Sequence, residues 1–370
     1  MTIQKAELFI VDLPLIHPFT TSFGTIDKRS SVIIKLFNTD GNIGWGEAPA
    51  LPLPLYNSET VVTTMIALQQ YLLPFTIGKS FHTPQEFATS YAHVKGHNFA
   101  KHGLECAFWC LLSSTSGKSL STLFGGTRKH IGVGESIGIH KAINLTCDEI
   151  SLRLSEGYQR IKVKIKLDWD IRLVDAIRKK FGDIPLMVDA NSAYTLKDVK
   201  ILRKLDSYNL MMIEQPLGDT DIIDHATLQK QIQTPICLDE SILSADDARK
   251  AIEINACKII NIKPGRVGGI VESIKIHDFC NKRSIPVWCG GMLESGIGRA
   301  FNIALASLPG FSLPADMSPS SIFYKEDIIN PTYAVDNKGF IAVPTTAGLG
   351  FSVDEKRLKR YTSQQYSFPG

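Results

Sequence analysis

Beyond residue 130 the chain alternates short apolar runs with longer stretches of helical spacing. The runs cover residues 132–138, 161–165, 186–188, 210–213, 236–238, 259–262, 287–288 and 311–314. Eight candidate strands, each of the first seven followed by a helical or loop segment, predict successive βα units and a parallel sheet. Their spread over about 200 residues predicts an α/β fold, a (β/α)7β TIM-like barrel rather than an open sheet. The earlier residues have a different texture. Residues 1–16 alternate like a strand, and residues 32–38 and 44–48 flank a hairpin signal at Asp40-Gly41. Residues 60–73 and 84–91 have helical spacing, and 104–114 is apolar enough for a helix buried against another layer. Strands followed by helices predict a small α+β capping domain over residues 1–125. The barrel is expected over 126–325, and a tail over 326–370 is expected to return to the cap.

Composition narrows the function classes. The 370 residues are 44% hydrophobic and 21% charged, enough for a large core. Lys+Arg 40 against Asp+Glu 37 leaves +3 with no basic block, which removes the electrostatic rationale for nucleic acid or a membrane surface. The start lacks a charged segment followed by an apolar one, so no signal peptide is expected. No uncharged apolar run reaches about 18 residues, so no spanning helix is expected. Seven cysteines, none in CxxC spacing, predict free buried thiols in a cytoplasmic protein. His93, His97 and His102 straddle Gly96 and are expected at the surface outside the barrel. Gly265, Gly268 and Gly269 lack the ending of a phosphate loop and are expected to form a tight turn that leaves room for substrate.

The chemistry lies in a spacing. Lys164, Asp189, Glu214, Asp239 and Lys263 stand at or just beyond the ends of consecutive runs, separated by 25, 25, 25 and 24 residues. One βα unit per step puts these side chains at equivalent places on neighbouring strands, on the carboxyl-terminal rim where barrel active sites gather. Three carboxylates meeting there would repel one another unless a cation joins them. An oxygen-only set without Cys or His favours Mg²⁺, with Mn²⁺ also suited. The plainer alternative for each acid is a helix cap or a lysine ion pair. Lys162, Lys164 and Lys166 alternate, so they share a strand face; the first two are expected to point inward and Lys166 to reach solvent. Neighbouring ammonium charge and desolvation both lower a lysine pKa and prepare a base. Lys263 is expected across the barrel mouth from Lys164. Two opposed lysines over a metal suit removal of a proton from carbon beside a carboxylate.

These motifs resemble the muconate-lactonizing subgroup of the enolase superfamily. RIKVKIK, VDANSAYTL, IEQPL, TPICLDESI, NIKPGRVGG and VWCGGMLESGIGRA are similar to those of o-succinylbenzoate synthases, in the branch that includes N-succinylamino acid racemases. The likeness extends to FTTSFGT, WGEAPA and VPTTAGLG, so it spans essentially the whole chain. It implies Asp189, Glu214 and Asp239 as Mg²⁺ ligands, and Lys164 and Lys263 as acid/base groups on opposite substrate faces. It also implies that Lys162 stabilises the enolate and depresses the Lys164 pKa. Asn191 and Arg266 become supporting residues, Arg266 tuning or positioning Lys263 unless it is a surface ion pair. Phe19, Ser136, Gly291, Leu293 and Phe323 match substrate-pocket positions. Mobile loops around residues 19–24 and 50–56 are implied to close the barrel. The related dipeptide epimerases carry a DxD motif at the eighth strand, where this chain reads ADMSPSS.

The implied reaction is Mg²⁺-dependent syn dehydration of 2-succinyl-6-hydroxy-2,4-cyclohexadiene-1-carboxylate to o-succinylbenzoate, in menaquinone biosynthesis. Racemisation of an N-succinylamino acid is the alternative, since the chain has a lysine for each face. A third reading is a metal-binding scaffold without catalysis. The implied partner is a small-molecule carboxylate, with no organic cofactor, nucleic acid or membrane; a homo-oligomer is compatible with the sequence.

Overall fold

The computed structural model describes residues 1–21 and 24–369. Three antiparallel strands open the chain in spatial order: β1 (Ile3–Thr21), β2 (Gly24–Asn38) and β3 (Ile43–Ala48). Asn38 Oδ1 accepts hydrogen bonds from the Asp40 and Asn42 N–H groups and closes the predicted turn between β2 and β3. A C-terminal strand (Thr362–Phe368) pairs with the free edge of β1, so both chain ends share one sheet. The period-two alternation of β1 loads both of its faces. Ala6 and Leu8 pack among the cap helices, whereas Phe9, Val11 and Leu13 join the core shared with the barrel.

Residues 104–114 lie within a longer helix, Asn98–Ser116, which presses on β3. A Cβ at Gly46 would meet the Gly103 carbonyl oxygen at 2.1 Å, so only glycine allows this approach. The predicted 60–73 helix changes winding instead of continuing. It is α-helical over Val61–Ile66, a π-helix over Ala67–Leu72, and 3₁₀ over Leu73–Phe75, where Pro74 cannot donate to the ladder. Residues 19–21 and 24, expected in a mobile loop, extend the β1–β2 ladder as Phe19↔Ile26, Thr20↔Thr25 and Thr21↔Gly24. Ser22 and Phe23 of that segment lie outside the described residues.

His102 corrects the expectation of a surface histidine. It is buried on the Asn98–Ser116 helix beside Cys106 Sγ. Burial pulls the imidazole pKa down from 6.5 to about 4. Between these values the unfolded chain binds a proton that the folded chain refuses, so stability rises with pH across the window. His102 is expected to contribute about 3 kcal/mol to that rise. His102→Gln should flatten the urea midpoint across the same window; an unchanged slope would assign the acid lability to other groups.

Eight parallel strands form the barrel: β4 (His130–Ile137), β5 (Arg160–Lys164), β6 (Leu186–Asp189), β7 (Ile213–Glu214), β8 (Ile236–Leu238), β9 (Ile259–Ile262), β10 (Val287–Cys289) and β11 (Ala315–Asp316). Parallel ladders run from β10 stepwise back to β4, and β11 pairs with β4. The barrel is nearly closed. Its eighth strand lies just beyond the predicted 311–314. Phe311 makes only an isolated bridge to Val287 and stacks on His277, whereas Ala315 and Asp316 reach Val133 and Gly134 on β4. Inside the barrel Met187, Met212, Cys237, Ile259 and Trp288 form a small apolar cluster. All seven cysteines are free and buried. Among the described residues no helix is long and apolar enough to cross a membrane.

Candidate active site

Lys164, Asp189 and Glu214 stand side by side in register across β5, β6 and β7. Asp239 and Lys263 follow β8 and β9 by one residue each. Every one of the five is buried. Lys164 Nζ donates to Asp189 Oδ2 at 2.6 Å and to Asn191 Oδ1 at 2.9 Å. Lys162, two residues back on the same face, lies 3.0 Å from Glu214 Oε2, 2.7 Å from Asp316 Oδ2 and 4.8 Å from the Trp288 ring centre. Lys263 Nζ lies 2.7 Å from Asp239 Oδ2. Lys166 is exposed, as its place beyond the strand predicts.

Arg266 is not a surface ion pair. It is buried, donates from Nη1 to Asp239 Oδ1, and anchors on the Ile242 and Asn261 carbonyls at 2.7 and 2.6 Å. Asn191 also donates to Glu240 Oε1 at 3.0 Å. Gly265, Gly268 and Gly269 face the cap rather than the site. A Cβ at Gly265 would meet the Phe99 ring at 2.8 Å, and one at Gly269 would meet Glu105 Oε2 at 2.2 Å.

Groups that strand-end spacing does not reveal complete the cluster. Arg160 pairs with Asp316 at 2.7 Å, and Asn261 donates to Glu214 Oε1 at 2.7 Å. Both were legible from period two, because Arg160 precedes Lys162 and Asn261 precedes Lys263 by two residues. Tyr56 carried no such signal. It comes from the cap, donates to Asp239 Oδ1 at 2.8 Å, and lies under Lys263 Nζ, 4.7 Å from its ring centre.

Burial pulls Lys162 and Lys263 down, but the surrounding acids outweigh it, led at Lys162 by Asp316 and Glu214. At Lys263 Tyr56 and Glu214 lead. Both ammonium groups are held above the ordinary lysine value. Burial opposes ionisation of Asp189, yet Lys164 and Lys162 hold it well below the usual carboxylate range. Glu214 goes up, first by burial and then by the charge of Asp189. Burial, then Asp189, push Glu240 up to about 7.

Among the described residues no three His, Cys, Asp or Glu side chains are already grouped as metal ligands. Lysine ammonium groups stand between the acids instead. The donor chemistry nevertheless fits a hard divalent cation: every donor is a buried oxygen. Asp239 Oδ2 already has the Lys263 ammonium beside it, but among the described residues Glu240 Oε2 receives no hydrogen bond. A buried carboxylate oxygen left so is a place for an ion.

Two small chambers of about 80 and 70 Å³ open at this cluster. Phe19, Lys164, Lys263, Gly291 and Leu293 line both. The first adds apolar Leu51, Leu55 and Met292 with Tyr56; the second adds Ser136, Lys162, Arg299, Asp316 and Phe323. Thus the pocket residues expected from the resemblance all face one chamber or the other.

Residues 147–357 match the Enolase C-terminal domain-like family, and residues 5–125 match the Mandelate racemase / muconate lactonizing enzyme N-terminal domain. The chain is 48% identical to an o-succinylbenzoate synthase from Geobacillus kaustophilus, covering 98% of this chain and 96% of that protein. It is 44% identical to an N-succinylamino acid racemase from Amycolatopsis sp, covering 98% of each. A solved enolase-superfamily member from Listeria innocua matches with a TM-score of 0.96 at 41% identity, over 100% of this chain and 99% of that one. The chain therefore belongs to the enolase superfamily, in the branch that holds the o-succinylbenzoate synthases and N-succinylamino acid racemases.

Proposed function

We propose that this enzyme is an o-succinylbenzoate synthase, a lyase that removes water from 2-succinyl-6-hydroxy-2,4-cyclohexadiene-1-carboxylate. The observation that carries this reading is the placing of Lys164 and Lys263 on the common lining of two chambers, among buried acids. The reaction needs a base for the proton beside the ring carboxylate and an acid for the departing hydroxyl. Lys164 takes the proton and returns it to the hydroxyl on the same ring face, a syn elimination. Asn191, 2.9 Å from Lys164 Nζ, orients that ammonium. Lys263 supplies positive charge near the ring, and Arg266 positions it through the shared Asp239. Lys162 adds a second cation against the charge that develops as the proton leaves.

Superfamily members typically use Mg²⁺. Asp189, Glu214 and Asp239 would hold Mg²⁺ (Mn²⁺ suits the same donors), which would supply charge to the substrate carboxylate. The ring carboxylate and the succinyl carboxylate make the proposed substrate a dicarboxylate.

N-Succinylamino acids are also dicarboxylates, and racemisation is the second reading because a lysine is available for each face of the α-carbon. Steady-state rates with both substrates decide between them. Fast dehydration is expected; negligible dehydration beside fast racemisation would make the racemase the correct assignment.

A further inference from the structure

We propose that Arg29, on β2 of the cap, is a positioning residue for the two loops that shape the substrate chambers. It acts as one arm of a clamp whose other arm is Glu47 on β3. Arg29 is 1% exposed, and its guanidinium hydrogen bonds run to main-chain carbonyls. Nε donates to Met292 O at 2.9 Å and Nη1 to Ala50 O at 2.6 Å; Nη1 also reaches Ser30 O, and Nη2 reaches Pro49 O. Burying a charge is costly unless it is hydrogen-bonded, so a guanidinium satisfied, among the described residues, by carbonyls makes a demanding joint. Its planar fork reaches three chain segments at once, which a lysine point charge does not.

Glu47 grips the same barrel segment from the opposite sign. Its Oε1 accepts from Ser295 N at 3.1 Å, and its Oε2 accepts from Ser295 Oγ at 2.6 Å and Gly298 N at 3.0 Å. The guanidinium therefore holds a carbonyl at 292 while the carboxylate holds amides at 295 and 298. Met292 and Leu293, which line the chambers, lie between these two grips. Tyr324 OH adds a hydrogen bond to Leu293 O. The second segment held by Arg29, Pro49–Ala50, leads into Leu51, Leu55 and Tyr56, which line the first chamber from the cap. Through one side chain the cap thus sets the separation of two walls that belong to different domains.

The functional part of this inference rests on the reading that substrate binds in these chambers; the clamp itself does not. Arg29→Lys keeps the charge and loses the fork. It is expected to raise KM about tenfold while kcat falls much less, because a displaced wall weakens binding more than it alters the lysines. Deuterium exchange followed by mass spectrometry should increase in residues 49–56 and 290–295 and stay unchanged in the barrel strands. If the wild-type protein catalyses neither dehydration nor racemisation, the proposed function fails, yet the exchange pattern still decides the clamp. Wild-type KM with unchanged exchange in both loops would overturn it. So would failure of both Arg29→Lys and Arg29→Gln to fold, since Arg29 would then support the fold rather than the site.

Discussion

Lys164→Ala is expected to lower the dehydration rate about ten-thousandfold, the upper end of what a positioned general base contributes. The size follows from its double duty, since the ammonium that forms on proton removal is also the acid for the hydroxyl. No nearby group replaces it. Lys162 is committed to Glu214 and Asp316 and is held above the ordinary lysine value, and Lys263 is proposed to face the other side of the substrate. Lys263→Ala should cost dehydration much less, because that reaction asks only for a cation there. Racemisation should fail in either variant. Exchange of the α-proton of an N-succinylamino acid in D₂O separates the roles, with each variant retaining exchange from one enantiomer only. If neither substitution altered exchange or turnover, the two-lysine mechanism would be wrong.

The second large effect concerns the acids. Asp189→Asn is expected to lower turnover roughly a thousandfold, which corresponds to several kcal/mol of lost charge stabilisation. Asp189 is 1% exposed and its pKa is held low, so it is an anion throughout the physiological range. Its loss removes a proposed cation ligand and leaves Lys164 without its 2.6 Å partner. Breaking such a buried pair also costs about 3–5 kcal/mol of stability, so thermal unfolding must accompany the assay. Chelation of the wild-type protein should abolish activity, and Mg²⁺ should restore it. Calorimetric titration supplies a readout independent of turnover: the wild-type protein should bind Mg²⁺ and Asp189→Asn should bind it far more weakly. A wild-type protein that neither binds Mg²⁺ nor responds to chelation would remove the metal from the mechanism.

The rim of the barrel was legible because its information is local. Strand residues alternate faces, and one βα unit occupies nearly constant length here. Lys162, Lys164, Asp189, Glu214, Asp239 and Lys263 therefore announce their common rim by spacing alone. The eighth strand was misplaced by a few residues, since Phe311 offers the same apolar signal as a strand while its ring stacks on His277. His102 shows a similar limit: a lone histidine is assigned to the surface until its neighbours are known, and this one is buried on the Asn98–Ser116 helix.

By itself the sequence determined the barrel, the order of its charged strand ends, the oxygen-rich donor set and the family resemblance. The first three follow from periodicity within a strand or from the length of one βα unit, and the resemblance rests on the short motifs that carry it. Only the tertiary structure decided how the lysines pair with the acids, that Tyr56 reaches Asp239, and that Arg29 holds Met292. These last partners stand 183 and 263 residues apart. No period in the chain encodes such contacts, because they arise when two separately patterned domains meet and the cap's polar side chains find their partners on the barrel.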